Sequence, residues 1–208
     1  MSKKIPTRQK ILEAGRSLFN AYGYAATSLA DIAKSVGISK GNLTYHFPTK
    51  LDLAHRLREE TREMTAERRL HLEPGDIADD YVEHLLFGMN VTWDNRFLLR
   101  DRIDGLEDPG GRNSELATDF QELLSLIRRI DEAGLFRRDA VSDVEVLTRS
   151  IWMVSRYWMD YLREIEGRTK IGWADQERGI KHHFAVLLPS LTAAGRRKFE
   201  LALASANP

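Results

Sequence analysis

The amino-acid sequence predicts an all-α chain in two parts, a three-helix bundle over residues 1–48 and a larger helical body over residues 49–208. Three observations carry that prediction. Apolar residues recur at helical spacing along most of the chain, and no stretch alternates as a strand would. Residues 28–48 hold start and stop signals at intervals that fit two short helices and a turn. Charge is also divided. Residues 1–58 carry ten Lys and Arg against three acids, a net of +7, while the remaining 150 residues hold 21 basic and 28 acidic side chains.

Thr7 to Tyr22 is expected to be the first helix, burying Ile11, Leu12, Ala14, Leu18, Phe19 and Tyr22 along one stripe and ending at Gly23. Ser28 is an N-cap for the second, with Asp31 completing a capping box and Gly37 closing the helix in a left-handed conformation. Ser39 caps a third helix that must stop at Phe47, because Pro48 disfavours helical geometry in the residue before it. A fourth starts at Thr49 and runs towards His71, where Pro74-Gly75 breaks it. Residues 76–105 are read as two helices with a bend near Trp93-Asp94-Asn95, and residues 108–113 as a loop. Ser114 to Gly134 is one amphipathic helix capped by Ser114. Ser142 starts a long helix with Glu145 at its capping-box position, another begins at Trp173, and a last one spans Ala193 to Ala206.

Composition narrows the chemistry. There is no cysteine, so disulfides, thiolate metal sites and cysteine nucleophiles are excluded. The N-terminus lacks a signal peptide's apolar core, and the longest stretch free of charged residues and His, Phe184 to Gly195, is too short to span a bilayer. A cytoplasmic protein without membrane contact is expected. Asp80, Glu83 and His84 share a helical face but read better as a salt-bridged surface than as metal ligands. No glycine-rich phosphate loop or nucleophile elbow is present, so neither an enzyme nor a resident cofactor or metal is expected.

The third helix is the chemically informative one. Ser39, Lys40, Asn42, Thr44, Tyr45 and His46 are hydrogen-bonding side chains packed into eight residues, and only Leu43 and Phe47 look buried. Helix, glycine-containing turn and short polar helix form the pattern of a helix-turn-helix reader of double-stranded DNA. Short hydroxyls suit phosphates, whereas Lys40 and Asn42 can reach base edges. Gly41 weakens the helix, and close approach of the backbone to DNA is one reason to tolerate it. Lys50 opposes the dipole at the start of its helix, which a phosphate partner would explain better than fold stability does. An α-helical protein-interaction or adaptor module, with the basic segment docking an acidic protein, is the alternative reading.

Residues 8–53 resemble the N-terminal domain of the tetracycline-repressor (TetR) family. The matching residues include the IL and LF pairs of the first helix, Gly23, Thr27-Ser28, Asp31-Ile32-Ala33, Gly37, Ser39-Lys40-Gly41, Tyr45, Phe47 and Lys50. Thr44 departs from the resemblance, since many members have an aromatic there. The resemblance implies a homodimeric transcriptional repressor that leaves a palindromic DNA operator when a small-molecule effector enters the C-terminal domain. It also implies that Thr27 and Lys50 clamp flanking phosphates.

In the body, large side chains that could line an effector pocket are Trp93, Phe97, Phe120, Trp152, Tyr157 and Met159. The helix from Ser142 carries Val144, Leu147, Ile151, Val154, Trp158, Tyr161 and Ile165 at alternating steps of three and four, a seam of the kind that joins two helices. Ile180, Phe184, Leu187 and Leu191 make a similar stripe. Both stripes are expected at a homodimer interface, since the resemblance implies that the last two long helices form one.

Overall fold

A computed structural model describes residues 5–71, 74–101, 103–106 and 111–206, and these are helical almost throughout. The chain divides into two compact units, residues 1–72 with 90–111 and residues 73–89 with 112–208.

The first unit holds α1 (Thr7–Tyr22), α2 (Leu29–Val36), α3 (Lys40–His46), α4 (Lys50–His71) and the short α6 (Phe97–Arg100). Its helix ends follow the local signals. The Ser28 hydroxyl accepts from the Asp31 amide while the Asp31 carboxylate accepts from the Ser28 amide, closing the expected capping box. The Ser28 hydroxyl, which also donates to the Asp31 carboxylate at 2.6 Å, and then the Ser28 amide hold the Asp31 carboxyl below the usual carboxylate range. Gly37 sits at φ 75, in the left-handed region that favours glycine. Ser39 accepts from the Asn42 amide, and Phe47 is extended ahead of Pro48. Thr49 and Asp52 form another reciprocal cap at the start of α4.

Ile11, Leu12, Phe19, Ile32, Leu43 and Phe47 meet in this unit's core. Tyr22 does not join them and is exposed. Gly15 lets α1 press on α4, since a Cβ there would lie 2.6 Å from a methyl of Leu53. The unit extends past the boundary expected at residue 48. Leu53, Ala54 and Leu57 are buried in the same core, and Phe97 packs on Phe19 with ring centres 5.2 Å apart. Asn20, itself buried, donates to the Asp94 carbonyl at 2.7 Å and accepts from the Phe97 amide at 3.1 Å, which ties α1 to residues 94–97.

The second unit contains most of α5 (Ile77–Asp94), with α7 (Gly111–Glu132), α8 (Val144–Glu164), α9 (Trp173–Leu187), a 3₁₀ turn (Leu188–Ser190) and α10 (Ala193–Ala206). α7 starts at Gly111, so the cap expected at Ser114 falls inside the helix. Of the expected 108–113 loop, residues 108–110 lie outside the described residues. Gly134 ends the connection as expected, at φ 66. α8 is capped by Asp143 rather than Ser142, because the Asp143 carboxylate accepts from both the Glu145 and Val146 amides. Asp80 pairs with Arg129 at 2.7 Å and accepts from the Gly75 amide, so it is spent on the fold.

Tyr81, Ile127, Ile130, Ile151, Leu187 and Phe199 are fully buried at the centre of this unit. Against them sits a polar thread. The Ser155 hydroxyl donates to the Ile151 carbonyl, which leaves its oxygen to accept from His183 Nδ1, 2.7 Å away. Tyr81 then donates to His183 Nε2 at 2.8 Å. Burial lowers the His183 pKa from 6.5 to about 3, with the nearby His84 adding to the effect, and burial raises that of Tyr81.

A histidine held neutral in the fold takes up a proton more readily once unfolded. Its contribution is present above pH 6.5 and is lost as pH falls from there towards about 3. Stability should therefore drop by about 2 kcal/mol between pH 7 and pH 5, above the range where most carboxylates titrate. Denaturant melts at both pH values check this, and His183→Gln should flatten the dependence.

Candidate nucleic-acid interface

The surface of α3 is decided by which of its residues the core claims. Leu43 and Phe47 point inward and are buried. Lys40, Gly41 and Asn42 are exposed, and Tyr45 is 84% exposed, the most of any large apolar side chain described. The Lys40 and Asn42 side chains make no hydrogen bond or ion pair among the described residues. Thr44 and His46 are half-buried at the edge of this face. The Thr44 hydroxyl donates back to the Gly41 carbonyl at 3.1 Å, and the His46 ring stands edge-on to Tyr45. Ser39 receives the Asn42 amide and keeps its own proton to donate. Such a face offers donors and acceptors on a rigid, apolar-anchored helix, which is what base edges and phosphates require.

The two residues expected to clamp flanking phosphates make contacts within the head. Thr27 is buried, and its hydroxyl donates to the Gly23 carbonyl at 2.8 Å. Lys50 turns its ammonium onto the turn before α2, donating to the carbonyls of Tyr24 at 2.7 Å and Thr27 at 2.9 Å. The Tyr24 ring lies 4.3 Å beneath it. A cation at the start of α4 thus has carbonyl oxygens to satisfy it, and no phosphate is needed to account for its position. Beside it lies an open groove of about 530 Å³ lined by Leu18, Tyr22, Ala26, Thr27, Asp31, Lys34 and Ser35, which no sequence signal marked.

The expected pocket residues are divided between the two units. Phe97 belongs to the core of the first unit, and the Trp93 ring is covered by Arg96 at 4.2 Å in the same unit. In the second unit Phe120 and Trp152 meet edge-on at 5.8 Å, Met159 is buried, and Tyr157 faces solvent.

The expected dimer seam is also redistributed. Ile151, Phe184, Leu187 and Leu191 are buried in the core of their own unit, and Trp158 is buried with its indole N–H donating to the Asp175 carbonyl. Val144, Leu147 and Ile180 pack partly buried against that core; Val154 is half-buried and Tyr161 is exposed. A strict three-four repeat drifts about 20° per heptad on a straight helix, so it starts on the core side and ends on the surface. Among the described residues, an apolar face left uncovered adjoins the seam and shares Tyr161 and Ile165 with it: Val146, Met153, Tyr157, Tyr161 and Ile165.

Helix, left-handed glycine, capped polar helix and a supporting α1 define the head as a helix-turn-helix domain. A family model described as bacterial regulatory proteins of the tetR family matches residues 11–57, and one described as a bacterial transcriptional repressor matches residues 59–199. The chain belongs to the TetR family of bacterial transcriptional regulators. It is 34% identical over 103 residues to the regulator AcrR of Shigella flexneri, covering 47% of each chain. It spans about half the length of the curated relatives it matches. A TetR-family regulator from Marinobacter aquaeolei VT8 shares the fold at TM-score 0.72 and 24% identity, covering 98% of this chain and 100% of that one. CprB from S. coelicolor A3(2) gives 0.67 at 20% identity, covering 95% of each.

These placements separate two variants. Tyr45→Ala removes an exposed ring and should leave the thermal transition within about 1 °C of the parent. Lys50→Ala strips charge-assisted bonds from the turn before α2 and should cost ~1–2 kcal/mol, read as a lower midpoint in the same melts.

Proposed function

We propose that the chain is a transcriptional repressor that binds a palindromic operator as a homodimer and leaves it when a small molecule occupies the helical body. The observation that carries the reading is the face of α3, where Lys40, Asn42 and Tyr45 stand exposed on a helix fixed from behind by Leu43 and Phe47. Lys40 and Asn42 are the base readers. Ser39, Tyr45 and His46 contact the backbone beside them, and Thr44 presents only acceptor lone pairs, its proton being held by Gly41. Lys50 and Thr27 act from behind the surface, shaping the turn before α2. The excess of basic residues over residues 1–58 draws the head to a polyanion.

The uncovered stripe of α8 supports the homodimer, because Val146, Met153, Tyr157, Tyr161 and Ile165 are apolar, exposed and on one side of a single helix. Two paired copies supply two α3 helices for two half-sites. An effector would act by favouring one spacing of those helices over another. α4 follows α3 within the first unit, and α5 runs from one compact unit into the other, which makes α5 the route for that shift.

Selection of bound duplexes from a random pool tests the reading. Inverted repeats with half-sites about one helical turn apart are expected; a pool that shows no enrichment contradicts it. Pairing has its own check by native mass. The parent should run as two chains, and a Met153→Glu/Tyr157→Glu variant should fall to one chain of 23.8 kDa with its helicity intact.

A further inference from the structure

We propose that Gly41 is the point at which the backbone of α3 lies against the DNA, and that its missing side chain sets how deeply the helix enters the groove. The inference rests on the DNA-binding reading above and goes beyond it by assigning a specificity role to one absent Cβ. Glycine lowers helix propensity most in a helix interior and less in the first turn, where Gly41 stands as the second residue of α3. The usual reasons are absent at Gly41. Its φ is not positive, unlike that of Gly37 at 75. No neighbour crowds it: a Cβ would meet only the Ser39 hydroxyl oxygen at 4.0 Å, an ordinary contact. Elsewhere in the chain the packing itself excludes a side chain, with a Cβ on Gly15 falling 2.6 Å from Leu53 and one on Gly179 falling 2.7 Å from Trp158.

Nothing within the chain requires glycine at 41, and what sets it apart from the equally uncrowded Gly88 is its place in the exposed face of α3. Its carbonyl already accepts from Thr44, and the exposed side chains around it are Lys40, Asn42 and Tyr45. Lys40 and Asn42 have the donors that read base edges, and Gly41 lies between them. A methyl group at that position would hold the helix off the groove floor by about the width of the group. Both side chains would then fall short of the bases, while contacts to the phosphates at the rim would survive. Gly88, in α5, also has open space around it but no such surroundings, which makes it a control.

The test uses the full chain, the duplex enriched from the random pool and a scrambled duplex of equal length. Gly88→Ala, in a helix interior, should raise Tm by about 2–4 °C, and Gly41→Ala, in a first turn, should leave Tm equal to or above that of the parent. Gly41→Ala should lose about tenfold or more in affinity for the enriched duplex and stay within about twofold of the parent on the scrambled one. Gly88→Ala should bind both as the parent does. Unchanged affinity of Gly41→Ala for the enriched duplex, an equal loss on both duplexes, or a lowered Tm overturns the proposal. A parent chain that binds no duplex overturns the functional reading itself, and that outcome is distinct from each of the others.

Discussion

A helix of seven residues cannot hold its shape in water, so α3 depends on the two side chains it buries. Leu43 and Phe47 lock into the core formed by α1, α2 and α4. The Ser39 cap and the extended Phe47 ahead of Pro48 then limit the helix to the turns that the core can carry. Everything the outward face does follows from this division. Because the apolar side alone fixes the helix, Lys40, Asn42 and Tyr45 contribute little to the fold and are free to face a partner.

The same economy explains Lys50. Its ammonium gathers the carbonyls of the turn between α1 and α2, and the buried Thr27 hydroxyl holds that turn from inside. The turn sets where α2 begins, and α2 with Gly37 sets where α3 begins. Two polar residues with no exposed role of their own thereby position the exposed ones. Asn20 does comparable work in α1, joining it to the end of α5 and the start of α6.

Much of the head was legible in the sequence because its signals are local. Ser28 with Asp31, Gly37, Ser39 and Pro48 each act within a few residues, and the structure ends the helices where they direct. Long-range choices were not legible. That Phe97, Ile103 and Leu106 pack with the head depends on Phe97 meeting Phe19, which no spacing within either segment reveals. The role of Lys50 depends on carbonyls more than twenty residues away. On α8 the apolar residues cover so much of the circumference that the pattern marks two adjoining faces. The core takes Ile151 and Trp158, leaving Met153 and Tyr157 outside. The Ser142 cap missed by a single residue, since Asp143 has the same capping chemistry and sits one place nearer the first turn.

The account stands on α3 being the surface that meets DNA. Amide hydrogen exchange of the full chain, with and without its selected duplex, measures that most directly. New protection concentrated in residues 38–46, with the core helices α5 and α10 unchanged, is the predicted result. Protection gained elsewhere while residues 38–46 exchange as in the free protein would contradict it.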